Sequence, residues 1–236
     1  MMWTQYSIGE ARWQAAGWTL QIANDAQGIR LRVSNAESCD SEGVISLDGD
    51  RMPQANEMFV RGDELHLYLP QKVAETQSSE GSGRASGDCV AGLEVVFTPI
   101  VSEGGLLVVE STVSLQTQWL DVHPRLLIEL PNQGKLNSVS NQSAIVFSSL
   151  PEVGVPTGAS TADGLSAMVL VDERDRLSLA PFGKSEGGIR FFDEFMEKGV
   201  IRKIQPWWVW TLAPLTERRI AALCDELAQR PLPLAG

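Results

Sequence analysis

Short runs of alternating apolar and polar residues, separated by polar turns, dominate the chain. The alternation covers residues 18–22 and again residues 29–33, with Asn24, Asp25 and Gly28 between the two runs. A period of two is typical of a strand with one buried face, and the intervening residues favour tight turns. The sequence therefore predicts a β-hairpin in this region.

The same combination of strand and turn signals repeats along most of the chain. Residues 93–101 and 106–115 flank a turn at residues 102–105 and predict the longest hairpin. Further strands are predicted at residues 44–47, 58–60, 65–69, 126–130, 144–147, 167–171, 176–180, 189–192 and 200–210. Many short strands with turns between them are typical of sandwiches and barrels. We predict an all-β fold, an antiparallel, supersandwich-like β-sandwich, as a single domain over residues 1–236.

One segment has the pattern of a helix instead. Within residues 217–229, four apolar side chains recur at a spacing of three and four residues. They are Ile220, Leu223, Cys224 and Leu227. Thr216 stands where an N-cap is expected, and prolines follow the segment. We predict a C-terminal helix that packs its apolar stripe on the outside of a sheet; the alternative is a helix that binds a partner.

Two segments lack any apolar periodicity. Residues 71–89 are rich in serine and glycine, and residues 151–164 are rich in glycine and proline. Such composition predicts flexible loops. The first is interpreted as an insertion between two strands, with a lid over a site as the alternative.

The charge of the chain excludes several classes of partner. Its 19 basic and 30 acidic residues give a net charge of −11. This field repels phosphate backbones and anionic lipids, and the densest basic spots are the pairs at residues 202–203 and 218–219. We expect no nucleic-acid partner and no docking on a membrane surface.

The expected compartment is the cytoplasm. Residues 1–12 lack the basic and apolar segments of a signal peptide, and no run approaches the roughly 18 apolar residues of a membrane span. The three cysteines, Cys39, Cys89 and Cys224, have no CxxC spacing and suit a reducing compartment.

No motif for a cofactor or a metal emerges from the sequence. Gly183, Lys184 and Ser185 resemble the end of a phosphate-binding loop, but Ser178 occupies the position of the required glycine. Two histidines are too few for a histidine-rich metal centre, and no calcium-binding loop pattern occurs. We therefore predict neither a cofactor nor a metal site.

A row of four side chains gives the first candidate site. If residues 119–125 form a strand, then Trp119, Asp121, His123 and Arg125 share one face. An aromatic platform beside polar groups suits a sugar, and a carboxylate next to an imidazole suits general acid–base catalysis. We predict His123 and Asp121 as catalytic residues and Trp119 and Arg125 as ligand-binding residues. The alternative is a solvated row of surface ion pairs interrupted at the following proline.

A second row is predicted on the strand at residues 64–69. Glu64, His66 and Tyr68 take one face, whereas the leucines between them take the other. These three are further candidate ligand-binding residues, with a merely solvated strand face as the alternative.

A tryptophan-rich strand at residues 206–212 supports a different hypothesis. Trp208 and Trp210 share one face, and Trp207 and Val209 share the other. We expect at least one face to belong to the core, because aromatic side chains exposed on both faces promote aggregation. For the other face we favour core as well, and the alternative is a stacking surface or subunit interface, which allows a homo-oligomer.

The many strands and the late tryptophan-rich strand together resemble the galactose-mutarotase-like supersandwich. Residues 195–202, followed by a strand, a helix and residues 232–234, also resemble the end of uncharacterised bacterial β-rich proteins. The first resemblance implies a carbohydrate-active protein. Aldose epimerases of that fold use two histidines and a glutamate, but neither histidine here lies in a matching motif, so no role is carried over.

Two functional hypotheses follow from these observations. In the first, the protein binds or modifies a carbohydrate, and as an epimerase it would use His123 to open and close a sugar hemiacetal. In the second, it is a non-catalytic interaction module that uses the tryptophan-rich strand.

Overall fold

In the part of the chain that the structure describes, two antiparallel β-sheets pack face to face to form the core, and one α-helix lies outside them. The computed structural model describes residues 2–36, 38–47, 49–71, 91–103, 105–119, 122–130, 137–140, 144–148, 165–178 and 188–231. This architecture confirms the predicted antiparallel β-sandwich with a C-terminal helix. The predicted loop at residues 71–89, except Gln71, and the loop at 151–164 lie outside the described residues.

The first sheet begins as a meander of five consecutive strands. In spatial order, its seven strands within the described residues are β1 (Met2–Ser7), β2 (Glu10–Ala15), β3 (Trp18–Asn24), β4 (Ile29–Asn35), β5 (Ser38–Leu47), β10 (Leu126–Glu129) and β14 (Gly188–Phe191). β3 and β4 form the predicted hairpin, with Leu20 opposite Val33 and Ile22 opposite Leu31. The Asp25 side chain closes its turn by accepting a hydrogen bond from Gln27 N at 2.7 Å.

The second sheet contains the predicted long hairpin. Its spatial order in the described part of the chain is β11 (Asn137–Ser140), β12 (Ala144–Ser148), β13 (Ser166–Asp172), β16 (Trp207–Thr211), β9 (Leu106–Gln116), β8 (Gly92–Glu103), β7 (Glu64–Leu69) and β6 (Glu57–Arg61). A further strand, β15 (Ile201–Ile204), also pairs with β9. β6 and β7 form a tight hairpin in which Gly62 has a φ of 62°, a conformation that favours glycine.

β15 and β16 together account for the single strand predicted at residues 200–210. The register is unbroken across the gap, because Ile204 and Trp207 lie opposite Val113 and Glu110. Pro206 lies in the gap and has no backbone N–H to contribute to the ladder. β15 and β16 therefore continue one another along β9, and the pairing with β9 is interrupted only around Pro206.

The strand predicted at residues 176–180 is wrong over its described part, residues 176–178. Glu173–Ser178 forms a 3-10 helix instead. The Asp172 carboxylate, at the end of β13, accepts a hydrogen bond from Arg174 N at 2.7 Å. A side chain that accepts a hydrogen bond from the backbone N–H two residues later stabilises a turn. Such a turn competes with the pairing of the same residues in a strand.

Inward-facing strand positions from both sheets build the main core. Trp13 and Trp18 of the first sheet and Trp208 of the second are all nearly inaccessible to solvent. The sheets approach closely at Gly43 on β5, where a Cβ atom would lie 2.5 Å from the Trp208 ring. The Trp208 indole donates a hydrogen bond to Ser111 Oγ at 2.9 Å, which satisfies its buried N–H.

A second, smaller core lies between the second sheet and helix α1 (Glu217–Gln229). The four predicted apolar side chains of α1 are buried there against Trp207, Val209 and their neighbours. Thr216 is the N-cap, and its side chain accepts a hydrogen bond from Arg219 N at 3.3 Å. The helix therefore packs its apolar stripe on the outside of a sheet, as predicted.

The tryptophan-rich strand offers no exposed face, which corrects the surface expected for the interaction hypothesis. Trp208 and Trp210 lie in the main core, and Trp207 and Val209 lie under α1. All four are at most 2% exposed. The favoured interpretation of both faces as core is confirmed. The alternative, a stacking surface or subunit interface on one face, is wrong because the chain's own C-terminal helix covers that face.

Candidate functional site

A polar row crosses the outer face of the second sheet. Tyr68, Glu94, Ser114 and Lys203 lie opposite one another on β7, β8, β9 and β15. Neighbouring strand positions such as Leu67 point inward and are buried. Because successive side chains alternate between the faces of a sheet, the row faces away from the main core.

A groove of about 260 Å³ lies over this row. Tyr68, which is 48% exposed, stands on its β7 side, and Ile201, which is 42% exposed, stands on its β15 side. The polar lining comprises Gln71, Glu94, Ser114, Gln116, Gln118 and Lys203. This volume is close to the lower end of small-molecule pockets, about 300 Å³. The groove therefore suits a small ligand or one unit of a longer one.

The chain that leaves β7 forms one wall of the groove. Gln71 Oε1 accepts a hydrogen bond from Gln118 N at 2.6 Å. A Cβ atom on Gly92 would lie 2.8 Å from Gln71 N and 3.2 Å from Leu69 O. Glycine at position 92 thus allows the chain after β7 to pass close to β8 and to bring Gln71 to Gln118.

The row of Glu64, His66 and Tyr68 lies on one outward face of β7, as predicted. The intervening leucines are fully buried. His66 Nε2 lies 3.0 Å from Glu64 Oε2, and the His66 ring stacks on Phe59 with centroids 4.7 Å apart. Of the three predicted residues only Tyr68 lines the groove. Tyr68, His66 and Phe59 thus place aromatic rings from the groove towards β6. The ligand-binding roles of Glu64, His66 and Tyr68 stay predictions.

The described members of the predicted row, Trp119, His123 and Arg125, do not lie on a strand. Residues 120–121 lie outside the described part of the chain, and the described residues on both sides of them have no ladder pairing, apart from an isolated bridge between Val122 and Met196. Trp119 N donates a hydrogen bond to Thr117 Oγ1 at 3.1 Å, a local turn contact directly after β9. Alternation along a strand therefore does not place Trp119, His123 and Arg125 on one face, so the expected strand is wrong for these three described residues.

The members of this row have separate partners in the described residues. His123 is exposed and lies edge-on to Phe195, with ring centroids 6.1 Å apart. Arg125 Nε lies 3.8 Å from Asp193 Oδ1. Asp121 lies outside the described residues. The catalytic roles of His123 and Asp121 and the binding roles of Trp119 and Arg125 stay predictions.

A second polar cluster lies beneath the C-terminal end of α1. Glu110 Oε2 accepts hydrogen bonds from Trp207 Nε1 and Arg230 Nε, both at 3.0 Å. The Arg174 guanidinium donates to Asp172 Oδ1 at 2.9 Å and to the carbonyl oxygen of Arg230 at 3.1 Å. These charge-assisted bonds fasten the end of the helix to the second sheet.

Asp175 is buried in this region, as are Asp172 and Glu110. Burial raises the pKa of its carboxyl from 3.8 to about 6, and the neighbouring Asp172 carboxylate acts in the same direction. The hydrogen bond from Gln205 N, at 2.8 Å, and the Arg174 charge oppose this rise in pKa. The carboxyl serves as an acceptor for the backbone at the gap between β15 and β16. Its surroundings indicate a structural role.

The groove residues Gln71, Glu94, Gln116, Gln118 and Lys203 were not predicted from the sequence. The alternation of β8 and β9 does mark Glu94, Ser114 and Gln116 as outward-facing. The strand order that brings Lys203 beside Ser114 is a long-range property without a local signal.

The described residues hold neither a metal-binding cluster nor a membrane-spanning helix. No set of three or more His, Cys, Asp or Glu side chains is arranged there to hold a metal ion. No helix in that part of the chain is long and apolar enough to cross a membrane. Cys224 lies on the buried face of α1.

Comparison with known proteins gives no relative from which a site could be transferred. No family model matches the chain, and neither a curated protein nor a solved structure matches it. The resemblance to galactose-mutarotase-like proteins therefore stays a prediction, and function must be argued from the groove itself.

Proposed function

We propose that the protein binds a neutral carbohydrate in the groove on the outer face of the second sheet. One observation carries the proposal: an exposed tyrosine ring borders a groove lined by three glutamine amides and a serine hydroxyl. A sugar presents an apolar C–H face to an aromatic ring and hydroxyl groups to polar side chains. Amides suit these hydroxyls because each offers both donors and an acceptor.

The charge distribution favours a neutral glycan over an anionic one. The net charge of the chain is −11, and the groove is lined by Glu94 as well as by its one lysine, Lys203, which lies on the other side of Ser114. An anionic sugar would therefore approach against the field of the protein. We expect neutral oligosaccharides to bind more tightly than uronic-acid-containing ones of the same length.

The groove supports non-catalytic carbohydrate binding better than it supports an epimerase. Neither His66 nor His123 lines the groove. An epimerase that uses His123 would need a second site around Phe195, and that remains the alternative form of the hypothesis.

The experiment is a screen of neutral oligosaccharides on a glycan array, followed by calorimetric affinities for the strongest binder. We expect Tyr68→Ala to lose about tenfold in affinity, which corresponds to about 1.4 kcal/mol for a lost aromatic contact. The matched control is Tyr6→Ala, because Tyr6 is the other tyrosine of the chain and is 58% exposed on the first sheet.

Comparison of the two variants distinguishes a loss of affinity that is specific to the groove from a general effect of removing a surface tyrosine. Equal affinities for the wild type and Tyr68→Ala, or an equal loss in Tyr6→Ala, would contradict the proposed site. Loss of binding in His123→Ala alone would move the site to the segment after β9.

A further inference from the structure

Strands β1 and β6 lie together at one side of the sandwich. β1 ends the first sheet and β6 ends the second, so each has a hydrogen-bonded neighbour on one side only within the described residues. The two strands contact each other, and Trp3 Nε1 donates a hydrogen bond to Asp63 O at 3.0 Å. This side of the molecule therefore presents two adjacent strand edges with unpaired backbone groups.

Exposed apolar side chains concentrate at the same side. Nine large apolar side chains are exposed in the described part of the chain, and five of them lie on β1, on β6 or directly after β1. These five are Met2, Tyr6, Ile8, Phe59 and Val60. An apolar patch along an open strand edge marks a site of association or a liability for aggregation.

The sequence of β6 is complementary to itself in the antiparallel direction. It reads Glu57, Met58, Phe59, Val60, Arg61. A second copy paired antiparallel about Phe59 would place Glu57 opposite Arg61 at both ends of the strand. Both charged side chains are exposed, so the packing of the core does not prevent them from contacting a second copy. A two-fold interface requires this self-complementarity of one surface patch.

The backbone of β6 suits the same pairing. Arg61 and Glu64 flank a two-residue turn, and in such a hairpin the flanking pair exchanges both of its hydrogen bonds. Because the bonding direction alternates along a strand, the N–H and C=O groups of Met58 and Val60 point to the free edge. In an antiparallel pair about Phe59, Met58 of one copy lies opposite Val60 of the other, and the two can exchange both hydrogen bonds.

We propose that the chain forms a two-fold dimer by antiparallel pairing of β6 with β6 of a second copy. The second sheets of the two copies then form one continuous sheet, with Phe59 against Phe59 at the axis and the exposed apolar side chains of β1 alongside. The proposal depends on β6 and its charges, so it stands or falls independently of carbohydrate binding.

Sedimentation equilibrium of the full chain and of two charge-reversal variants tests the dimer. We expect the wild type to dimerise with increasing concentration. Glu57→Lys makes both ends of β6 positive and Arg61→Glu makes both ends negative, so each variant alone should dimerise at least about tenfold more weakly. An equimolar mixture of the two variants should recover a dimer of near wild-type affinity, because the introduced lysine of one copy then faces the introduced glutamate of the other.

Circular dichroism of each variant checks that the exposed substitutions leave the fold intact. A wild type that is monomeric up to about 1 mM, where even an interface of roughly 4 kcal/mol would be half formed, overturns the proposal. So does a mixture that associates no better than the separate variants, the result expected if this edge instead binds an unrelated extended peptide.

Discussion

Replacing the buried Asp175 with asparagine should make the protein more stable at neutral pH. The carboxyl is only 8% exposed and accepts a hydrogen bond from Gln205 N at 2.8 Å. The amide oxygen of asparagine can accept the same hydrogen bond. The substitution thus removes a buried charge while it keeps the contact that the structure requires.

The magnitude follows from the raised pKa of Asp175. Its pKa of about 6 in the folded protein lies about two units above its ordinary value of 3.8. Each unit corresponds to about 1.4 kcal/mol, so ionised Asp175 costs up to about 3 kcal/mol of folding free energy. The folded state binds the proton more tightly. The stability that this proton contributes is therefore fully present below pH 3.8 and is lost as the pH rises through about 6.

The assay is urea unfolding of the wild type and of Asp175→Asn between about pH 3.5 and pH 8. Tryptophan fluorescence monitors the transition. We expect the variant to be more stable by up to about 3 kcal/mol at pH 8 and the difference to shrink towards zero near pH 4. Asp63→Asn, on the exposed β6–β7 turn, is the matched control for the loss of one carboxylate. A variant that is no more stable at pH 8, or a stability difference that does not depend on pH, would contradict a destabilising charge on Asp175.

Three further substitutions test other parts of the structure. Gly43→Ala should cost about 1–3 kcal/mol of unfolding free energy, because its Cβ would meet the Trp208 ring at 2.5 Å; urea unfolding measures this, and an unchanged midpoint would contradict it. Arg230→Ala should lower the free energy of unfolding by about 1–2 kcal/mol, because the buried Glu110 carboxylate loses a hydrogen-bonded partner. The loss stays moderate because the Arg230 side chain is partly exposed to solvent. Hydrogen exchange should then accelerate in α1, and full protection there would count against the network. Gly92→Ala should weaken glycan binding several-fold without unfolding the protein, because it displaces Gln71 from Gln118.

Local patterns in the sequence predict much of the fold. The β3–β4 and β8–β9 hairpins and helix α1 all lie where periodicity and turn or cap residues place them. In these elements the partners are close in the chain, so the signals that form them are also close. The 3-10 helix at Glu173–Ser178 differs because one side chain, Asp172, changes the balance between strand and turn.

The candidate site depends on long-range register, which no local pattern contains. The groove needs Tyr68 on β7, Ser114 on β9 and Lys203 on β15 to fall in one row. Alternation shows which side chains point outward but not which strands become neighbours. The same limit applies to Trp207, whose covered face depends on where α1 docks.

Nuclear magnetic resonance of ring-labelled tyrosine tests directly whether the groove binds a neutral carbohydrate. The chain contains two tyrosines, so the spectrum holds one candidate signal from Tyr68 in the groove and one internal control from Tyr6. Tyr68→Phe assigns the two. During titration with neutral oligosaccharides, we predict that the Tyr68 ring signals shift in a saturable manner while those of Tyr6 stay in place. Unchanged Tyr68 signals across the whole panel, or equal shifts of both tyrosines, would contradict the account.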